Sequence, residues 1–294
     1  MMKLHGSKQR GKFHKKGRGD IMSDVCVITG GGSGMGLATA KFMPKDKTIL
    51  IAGRTASKLE KAVNELKSLG YNVHYKTCDT SDRSSVRELA EFAVSLGTVR
   101  NVIHAAGLSP TMAKPEQLIK VNALGTVYVN REFAKLMPES SVIVDVSSNS
   151  AYALPKIIIP KRTYALADTS ESEFLKKMIK RSSLPKGDYA KSGLAYALSK
   201  NFAVWYAQKS AFEFGRKGIR VVSLSPGLIS TDMGNLESEE GEKMLRYGAE
   251  KRMGTPEELG FTIAMLADER NSYLAGVDVL CDGGCTNGKF FYAP

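Results

Sequence analysis

Short apolar runs alternate with amphipathic stretches along most of the chain. The apolar runs are rich in β-branched residues, and the stretches between the first four have apolar residues at helical spacing. The runs with this strand pattern are "VCVIT", "TILIAG", "NVHYKTCD", "NVIHAAG", "SVIVDVSS", "IRVVSLSPG" and "VDVLCDGG". Strands that are apolar throughout and alternate with helices predict one parallel sheet covered on both faces. Since the alternation continues to the C-terminus, we predict a single α/β domain over residues 23–294.

The segment 151–190 interrupts this alternation, because it has no strand pattern over roughly forty residues. Its part "TSESEFLKKMIKRSS" predicts a helix in which Ser170 and Glu173 have the spacing of a capping box. The apolar face of that helix consists of Phe174, Leu175, Met178 and Ile179. The insertion is interpreted either as a lid or wall of a pocket, or as a packed surface elaboration or oligomer contact.

Length and composition exclude several classes of protein. The chain has 294 residues, of which 43% are apolar, enough for a substantial core. It has no apolar run near the roughly 20 residues of a membrane span and no secretory signal, so we expect a cytoplasmic protein without a membrane partner. The four cysteines are scattered and are interpreted as reduced thiols. Cys281 and Cys285 lack zinc-like partners, so we expect no metal site.

The net charge of +12 is concentrated near the N-terminus, because residues 1–22 carry seven Lys/Arg against Asp20. A flexible, solvated extension is the first interpretation, and Met22 would also serve as a starting residue. A patch for nucleic acid or acidic lipid is a second interpretation. A third is a segment that docks on the body of the protein. We do not expect nucleic acid to be the main partner.

A glycine-rich turn follows the first predicted strand and precedes a helix. It reads "TGGGSGMG", Thr29 to Gly36. Such a turn lets the backbone approach a pyrophosphate, and the helix that follows directs its amides at that anion. This context predicts a dinucleotide site of the Rossmann type. The residues expected to contact the cofactor here are Gly30, Ser33, Gly34, Met35 and Gly36.

Two residues at the ends of the second and third predicted strands are expected to contact the adenosine end of that cofactor. The second strand ends "IAGRT", with no carboxylate where many dinucleotide folds bind the ribose hydroxyls. Arg54 can form bidentate bonds with a 2′-phosphate, which favours NADP(H); alternatively, it stacks on adenine and NAD(H) is used. Asp79 ends the third strand and is expected to accept from the adenine amino group. Alternatively, it is the N-cap of the next helix.

Three tyrosine–lysine pairs share one spacing: Tyr152–Lys156, Tyr196–Lys200 and Tyr247–Lys251. A Tyr and a Lys four positions apart lie on one face only within a continuous helix. Pro155 interrupts the first pair. The second pair opens a long predicted helix, and the third could also be helical, so spacing alone leaves two candidates.

The order of several motifs resembles the short-chain dehydrogenase/reductase family over about residues 24–284. The motifs are "TGGGSGMG", "HAAG", "VNALGT", "VSSNSA", "YALSK", "PGLIST" and "DGG". The resemblance assigns the catalytic roles to "YALSK", the pair that precedes the nicotinamide loop by one helix and one strand. The implied catalytic set is Asn122, Ser148, Tyr196 and Lys200. The further implied cofactor contacts are Ala106, Gly107, Pro226, Gly227, Ile229 and Thr231.

The resemblance also implies the chemistry of these side chains. Free tyrosine has a pKa near 10, and a nearby ammonium and an oxidised nicotinamide lower it. Tyr196 would then exchange a proton with the substrate oxygen, and Ser148 would hydrogen-bond the same oxygen. Lys200 would bind the nicotinamide ribose, and Asn122 would support a water that links Lys200 to solvent. His104 departs from the family's asparagine, and we expect it to pack or hydrogen-bond between strands.

The position of the insertion resembles a bacterial subgroup that includes 3α-hydroxysteroid dehydrogenase/carbonyl reductases. The subgroup implies a bulky ketone or secondary alcohol, such as a steroid oxidised or reduced at the 3α- or 20β-position. Ser150, Tyr152 and Tyr247 would border its pocket. The resemblance further implies a homodimer or homotetramer. The alternatives are a 3-oxoacyl carrier-protein reductase, and a cofactor-sensing regulatory protein whose basic tail binds nucleic acid; the complete catalytic set argues against the latter.

Overall fold

The fold is a seven-stranded parallel sheet in the order β3-β2-β1-β4-β5-β6-β7. A computed structural model describes residues 23–235 and 244–292. The basic segment 1–22 lies outside the described residues. The strands are β1 (Asp24–Thr29), β2 (Thr48–Gly53), β3 (Asn72–Thr77), β4 (Thr98–His104), β5 (Ser141–Val146), β6 (Ile219–Pro226) and β7 (Asp278–Cys281). The predicted single-domain Rossmann architecture is confirmed.

Helices cover both faces of this sheet. They are α1 (Gly34–Phe42), α2 (Ala56–Ser68), α3 (Arg83–Leu96), α4 (Pro115–Ile119), α5 (Gly125–Ala134), α6 (Lys161–Tyr164), α7 (Glu171–Ser182), α8 (Asp188–Phe214), α9 (Asp232–Asn235), α10 (Pro256–Leu266) and α11 (Cys285–Tyr292). A π-helical turn, Lys120–Leu124, joins α4 to α5. Apolar residues of α3, α5 and α8 form one core layer with the sheet, and those of α1, α2 and α10 form the other.

The central strands are largely apolar because their successive side chains point into different layers, whereas the edge strand β3 is mostly exposed. Val25 and Val27 of β1 belong to the layer under α3, α5 and α8, whereas Cys26 and Ile28 belong to the opposite layer. The chain leaves β1 toward β2 on one side and returns from β3 to β4 on the other side of β1. This reversal opens a crevice at the carboxyl ends of β1 and β4, where ligands bind in such sheets.

The insertion is a packed elaboration in its second half. Phe174 and Met178 of α7 are fully buried, and the Phe174 ring lies 5.0 Å from that of Phe202 on α8. The partly buried Leu175 and Ile179 pack against the same core. The predicted apolar face of α7 is confirmed, and packing against α8 favours the surface-elaboration interpretation for α6 and α7.

The capping box predicted for α7 does not form. Ser170 occupies the N-cap position, but its side chain makes no capping hydrogen bond. Glu173 lies instead 3.8 Å from Lys176, one turn further along the same helix. The first turn is held from outside, because Tyr128 of α5 donates to Glu171 at 2.7 Å. A tertiary hydrogen bond thus takes the place of the local cap.

The long helix α8 begins at Asp188, so the expectation that Tyr196 opens it was wrong. Tyr196 lies in the third turn, with the helix continuous on both sides. The first two turns are held by tertiary contacts: Ser192 donates to the Ala113 carbonyl at 3.1 Å, and Leu194 packs against the core. Tyr196 is therefore fixed within the helix and not at a fraying end.

Residues 23–235 and 244–292 contain neither a membrane-spanning helix nor a cluster of metal ligands. No helix there has the length and apolar character needed to cross a membrane. In the same ranges, no cluster of three His, Cys, Asp or Glu side chains is arranged to hold a metal ion.

We predict that Phe174→Ala lowers the free energy of unfolding by about 3–5 kcal/mol, because it opens a cavity between α7 and α8. The matched control is Phe212→Ala on α8, whose side chain is 82% exposed and should change stability by less than about 0.5 kcal/mol. Urea denaturation measures both values. Equal effects of the two substitutions would contradict the packing of the insertion.

Candidate active site

The glycine-rich turn places the start of α1 against the ends of β1 and β4. Gly30 has φ +70° and Gly34 has φ +54°, conformations that favour glycine. A β-carbon on Gly30 would lie 2.8 Å from the backbone of Ala105 and Ala106. The first turn of α1 carries no acidic residue, and its N-cap Ser33 makes no side-chain capping bond. The turn therefore presents backbone amides without a competing negative charge, as anion binding requires.

A cleft of about 450 Å³ opens at this turn, a volume in the range of small-molecule and cofactor sites. The predicted cofactor residues that line it are Gly30, Ser33, Gly34, Met35, Gly36, Arg54, Asp79, Ala106, Gly107 and Thr231. Pro226, Gly227 and Ile229 do not line it; they lie in β6 and the loop after it. The cleft thus corresponds to the adenosine and pyrophosphate part of the predicted dinucleotide site.

Sequence reasoning missed several lining residues, namely Thr55, Lys58, Thr80 and Val121. Lys58 matters most, because it adds a second cation to the part of the cleft that holds Arg54. The sequence contained a usable signal, since Lys58 lies in the first turn of α2, four residues after Arg54.

Asp79 does not cap α3, so that alternative is wrong. Asp82 is the cap, because its Oδ1 accepts from the Ser84 amide at 2.9 Å. Asp79 Oδ1 accepts from the Ser81 amide at 2.9 Å and from the Ser81 hydroxyl at 2.7 Å. These bonds fix the Asp79 carboxylate in the wall of the cleft, and its role toward adenine stays a prediction.

His104 joins two walls of the cleft from inside the sheet. It pairs in register with Thr29, whose Oγ1 lies 2.8 Å from His104 Nδ1 and accepts from the Ala106 amide at 3.3 Å. Because the hydroxyl oxygen accepts from Ala106, its proton is available to His104. Burial, together with the charge of Lys200, lowers the pKa of His104 to about 3, so the ring is neutral. The structure agrees with the interpretation of His104 as a bridge between strands.

Asn122 lies in the π-helical turn and holds the loop after β4. Its Oδ1 accepts from the Leu108 amide at 2.9 Å, and its Nδ2 donates to the Leu108 carbonyl at 2.9 Å. Nδ2 also lies 3.3 Å from Ser199 Oγ on α8. The side chain therefore fixes the loop against α8, while its water-supporting role stays a prediction.

Lys200 extends from α8 toward the same loop, and Tyr196 lies one turn earlier on this helix. Lys200 is 7% exposed, and its Nζ donates to the Val146 carbonyl at 3.1 Å and lies 5.8 Å from the centroid of the Tyr196 ring. A β-carbon on Gly107 would lie 3.3 Å from Lys200 Nζ and 3.2 Å from Asn122 Oδ1. Glycine at this position therefore lets Lys200 and Asn122 approach the cleft wall, which brings three of the four predicted catalytic residues together.

Ser148 stands just after β5, two residues beyond Val146. Its Oγ accepts from the Ser150 amide at 3.1 Å and lies 3.2 Å from Ser150 Oγ, so the two hydroxyls are neighbours. The preceding residue, Ser147, donates to the Lys200 carbonyl at 2.7 Å and joins this turn to α8. The turn that carries Ser148 is thereby fixed beside the helix that carries Tyr196.

The other two tyrosine–lysine pairs do not lie on one helix. Tyr152 and Lys156 lie in separate 3-10 turns, as Pro155 predicted. Residues 246–251 form turns and coil, so the third pair is not helical either. Tyr152 donates to Asp278 Oδ2 at 2.6 Å, and burial followed by this bond raises its pKa. Tyr247 packs its backbone against Gly288 of α11. Their places beside a substrate stay predictions.

Asp145 is a buried carboxyl group that sequence reasoning did not find. It is fully buried in β5, pairs in register with His104, and accepts from Asn130 Nδ2 at 2.8 Å. Burial raises its pKa to about 7, against the opposing effects of Asn130 and Lys200. The signal was a single acid inside the apolar run "SVIVDV". A second buried titratable group thus lies beside Lys200.

Comparison with known proteins places these features in context. The family model for short chain dehydrogenases matches residues 24–158, and that for enoyl-(acyl carrier protein) reductases matches residues 164–286. The short-chain dehydrogenase/reductase bsc3 of Alternaria brassicicola is 31% identical over 90% of this chain and 96% of its own length. The 3-oxoacyl-(acyl-carrier-protein) reductase FabG of Thermotoga maritima is 25% identical over 88% of this chain and 96% of its own.

Solved structures agree with the fold. A short-chain dehydrogenase/reductase from Serratia marcescens superimposes with a TM-score of 0.71 at 21% identity. The match covers 90% of this chain and 99% of that structure.

We predict that Asp145→Asn changes how stability depends on pH. The folded pKa of about 7 lies above the ordinary 3.8, so the contribution of Asp145 is complete below about pH 4 and is lost as pH rises toward 7. The free energy of unfolding of the variant should therefore rise relative to that of the wild type by roughly 1.4 kcal/mol per pH unit between about pH 4 and 7. Urea denaturation across this range measures the difference.

His104→Gln is the matched control, with the opposite sign. The folded pKa of about 3 lies below the ordinary 6.5, so His104 stabilises above about pH 6.5 and loses that contribution as pH falls. The free energy of unfolding of this variant should therefore rise relative to that of the wild type as pH falls. Stability differences that do not vary with pH in either variant would refute the assigned burial of both groups.

Proposed function

Because the chain belongs to the short-chain dehydrogenase/reductase family, we propose that it transfers a hydride between a nicotinamide dinucleotide and a ketone or secondary alcohol. Its relatives make the chain an oxidoreductase of this family. The observation that carries the proposal is the approach of Lys200 and Asn122 to Gly107 in the wall of the cleft, with the centroid of the Tyr196 ring 5.8 Å from Lys200 Nζ.

The cleft fits a dinucleotide. A β-carbon on Gly36 would lie 2.4 Å from the Gly30 carbonyl oxygen, so only glycines allow this close turn at the start of α1. The turn would hold the pyrophosphate on the α1 amides, and Arg54 and Asp79 would hold the adenosine half. When bound, the nicotinamide ring supplies or accepts the hydride.

The side chains of this site would handle the proton and the substrate oxygen. Tyr196 would give a proton to the carbonyl oxygen during reduction, or take it from the alcohol during oxidation. The Lys200 ammonium, 5.8 Å from the Tyr196 ring, favours the phenolate by Coulomb attraction. Ser148 would donate to the same substrate oxygen and hold it in line.

Tyr196→Phe removes the proton donor and leaves the ring in place. We expect kcat to fall about 10²–10⁴-fold, while the dissociation constant of the nucleotide changes by less than about threefold. Tyr273→Phe is the matched control, because it removes the same hydroxyl group from a fully exposed side chain, and it should keep kcat within about threefold. Steady-state kinetics and a nucleotide titration give both values. Activity retained in Tyr196→Phe would refute the assignment.

We favour NADP(H) as the cofactor. The adenosine end of the cleft carries Arg54 and Lys58, and Asp79 is the one acidic residue among those that line the cleft in the described part of the chain. A 2′-phosphate would find two cations there, and Arg54 can bind it bidentately.

The double variant Arg54→Ser/Lys58→Ser tests this preference. Losing charge-assisted bonds to a phosphate should raise the dissociation constant of NADPH about 10–100-fold and leave that of NADH within about threefold. Lys61→Ser is the control, because Lys61 is an exposed lysine of the same helix that does not line the cleft. Fluorescence titration with each nucleotide measures the constants. Parallel changes for NADPH and NADH would show that these cations do not bind the phosphate.

For the substrate, we propose a bulky ketone or secondary alcohol, as in hydroxysteroid dehydrogenases and carbonyl reductases. Among the relatives, a carbonyl reductase family member 4 from Xenopus laevis is 25% identical and a 3β-hydroxysteroid dehydrogenase 2 from Eggerthella lenta is 24% identical. A 3-oxoacyl carrier-protein reductase is the second candidate, supported by the match to FabG. Turnover of ketosteroids and of a 3-oxoacyl thioester, each with NADH and NADPH, decides between them. The homo-oligomer and the cytoplasmic location stay predictions.

A further inference from the structure

Exposed aliphatic side chains project from the insertion outside the cleft. Ile157 is 93% exposed, Leu184 is 76% exposed and Ile158 is 45% exposed. Ile157 and Ile158 lie in the 3-10 turn before α6, and Leu184 follows the end of α7. None of the three lines the nucleotide cleft. Large aliphatic groups with so little cover point to a contact that the isolated chain does not supply.

The two loops that carry them flank one packed unit. Helix α6 begins three residues after Ile158 and packs against α7. The Leu184 amide donates to the Arg181 carbonyl at 3.2 Å. Leu184 therefore lies at the C-terminal end of the unit formed by α6 and α7.

Exposed cations flank these aliphatic side chains along the sequence. They are Lys156, Lys161, Arg162, Lys180, Arg181 and Lys186. The ion pairs found within 23–235 and 244–292 include none of these six, although they do include other lysines of the same helices. We call these six cations, together with Ile157, Ile158 and Leu184, the insertion surface.

The acidic residues of the same segment do not pair with these six cations. Glu173 pairs with Lys176 and Lys177, and Asp188 pairs with Lys191. The other two acids have partners outside the segment. Asp168 accepts from Arg131 of α5 at 2.7 Å and lies 2.8 Å from Lys209 of α8. Glu171 accepts from Tyr128 at 2.7 Å. The insertion surface is therefore apolar at its tips and positive around them.

We propose that the insertion surface docks on a membrane that contains anionic lipids. Aliphatic tips flanked by lysine and arginine are a combination that binds lipid interfaces, since the tips enter the acyl boundary and the cations pair with phosphates. Lysine and arginine stems can lie along the apolar region while their charges stay at the headgroups. This docking is peripheral, and it revises the expectation from the sequence that the protein has no membrane partner.

An acidic protein is the other occupant that the charge would suit. The dominant anchors of protein interfaces are enriched in tryptophan, tyrosine and arginine, whereas the tips here are aliphatic. Ile157, at 93% exposure, projects freely instead of lining a groove. A protruding tip favours a fluid surface over a shaped one. The insertion also connects Ser148 to the helix of Tyr196, so docking would bring the proposed active site close to apolar ketones dissolved in the bilayer.

Vesicle sedimentation of the full-length protein tests the proposal. Binding should be strong on phosphatidylcholine vesicles with about one third phosphatidylglycerol, weak on phosphatidylcholine alone, and reduced by about 0.5 M salt. The variant Ile157→Ser/Ile158→Ser/Leu184→Ser should lose about tenfold in partitioning on the anionic vesicles. The wild type and the variants all contain residues 1–22, so any vesicle binding by this basic segment contributes equally to each protein.

Phe212→Ser/Tyr273→Ser is the matched control, because it removes exposed aromatic side chains, 82% and 101% exposed, elsewhere on the protein. It should bind vesicles as the wild type does. Unchanged vesicle binding in the triple serine variant would overturn the proposal. So would a triple variant that binds vesicles normally but has a raised KM for a water-soluble ketone, since the tips would then be a wall of the substrate pocket.

A tryptophan probe covers the case in which the serine variant fails to fold. Ile157→Trp keeps an apolar tip, and its emission should shift to the blue when anionic vesicles are added. Tyr273→Trp should show no shift. The native Trp205 contributes equally to both proteins. An Ile157→Trp emission that does not respond to vesicles would also overturn the proposal.

Discussion

The Lys200 ammonium is buried at the end of β5, where it donates to the Val146 carbonyl oxygen at 3.1 Å. A buried charge is costly unless it is hydrogen-bonded, so this bond fixes how far α8 extends along the sheet. Ser147 strengthens the same junction by donating to the Lys200 carbonyl. Tyr196 lies one turn earlier on α8, with its ring centroid 5.8 Å from Lys200 Nζ. The geometry of the proposed active site follows from this one junction.

The surroundings of Lys200 show how the sheet accommodates that charge. His104 is neutral because burial lowers its pKa, whereas Asp145 on the neighbouring strand has a pKa raised to about 7. The two residues pair in register across β4 and β5. Their titrations affect stability with opposite signs, and so partly cancel between about pH 4 and 6.5. A cation beside the cleft is thus compatible with a stable fold near neutral pH.

The sequence predicted the five central strands well because both faces of each are covered, which makes them nearly continuous apolar runs, whereas the edge strands β3 and β7 are more exposed. Proline correctly excluded the pair Tyr152–Lys156 from one helix. Tertiary contacts caused the failures. The start of α8 depends on the bond from Ser192 to Ala113, and the first turn of α7 is held by Tyr128 in place of a capping box. Periodicity and spacing carry no information on such contacts.

We propose that hydride transfer to a ketone depends on the Tyr196–Lys200 pair. Transfer of deuterium from reduced nicotinamide dideuterated at C4 to a ketone, followed by mass spectrometry, tests this dependence in the wild type and in Lys200→Met. We expect one deuterium in each alcohol formed by the wild type, and a rate lower by about 10²-fold or more in Lys200→Met. Deuterium transfer at the wild-type rate in Lys200→Met would contradict it.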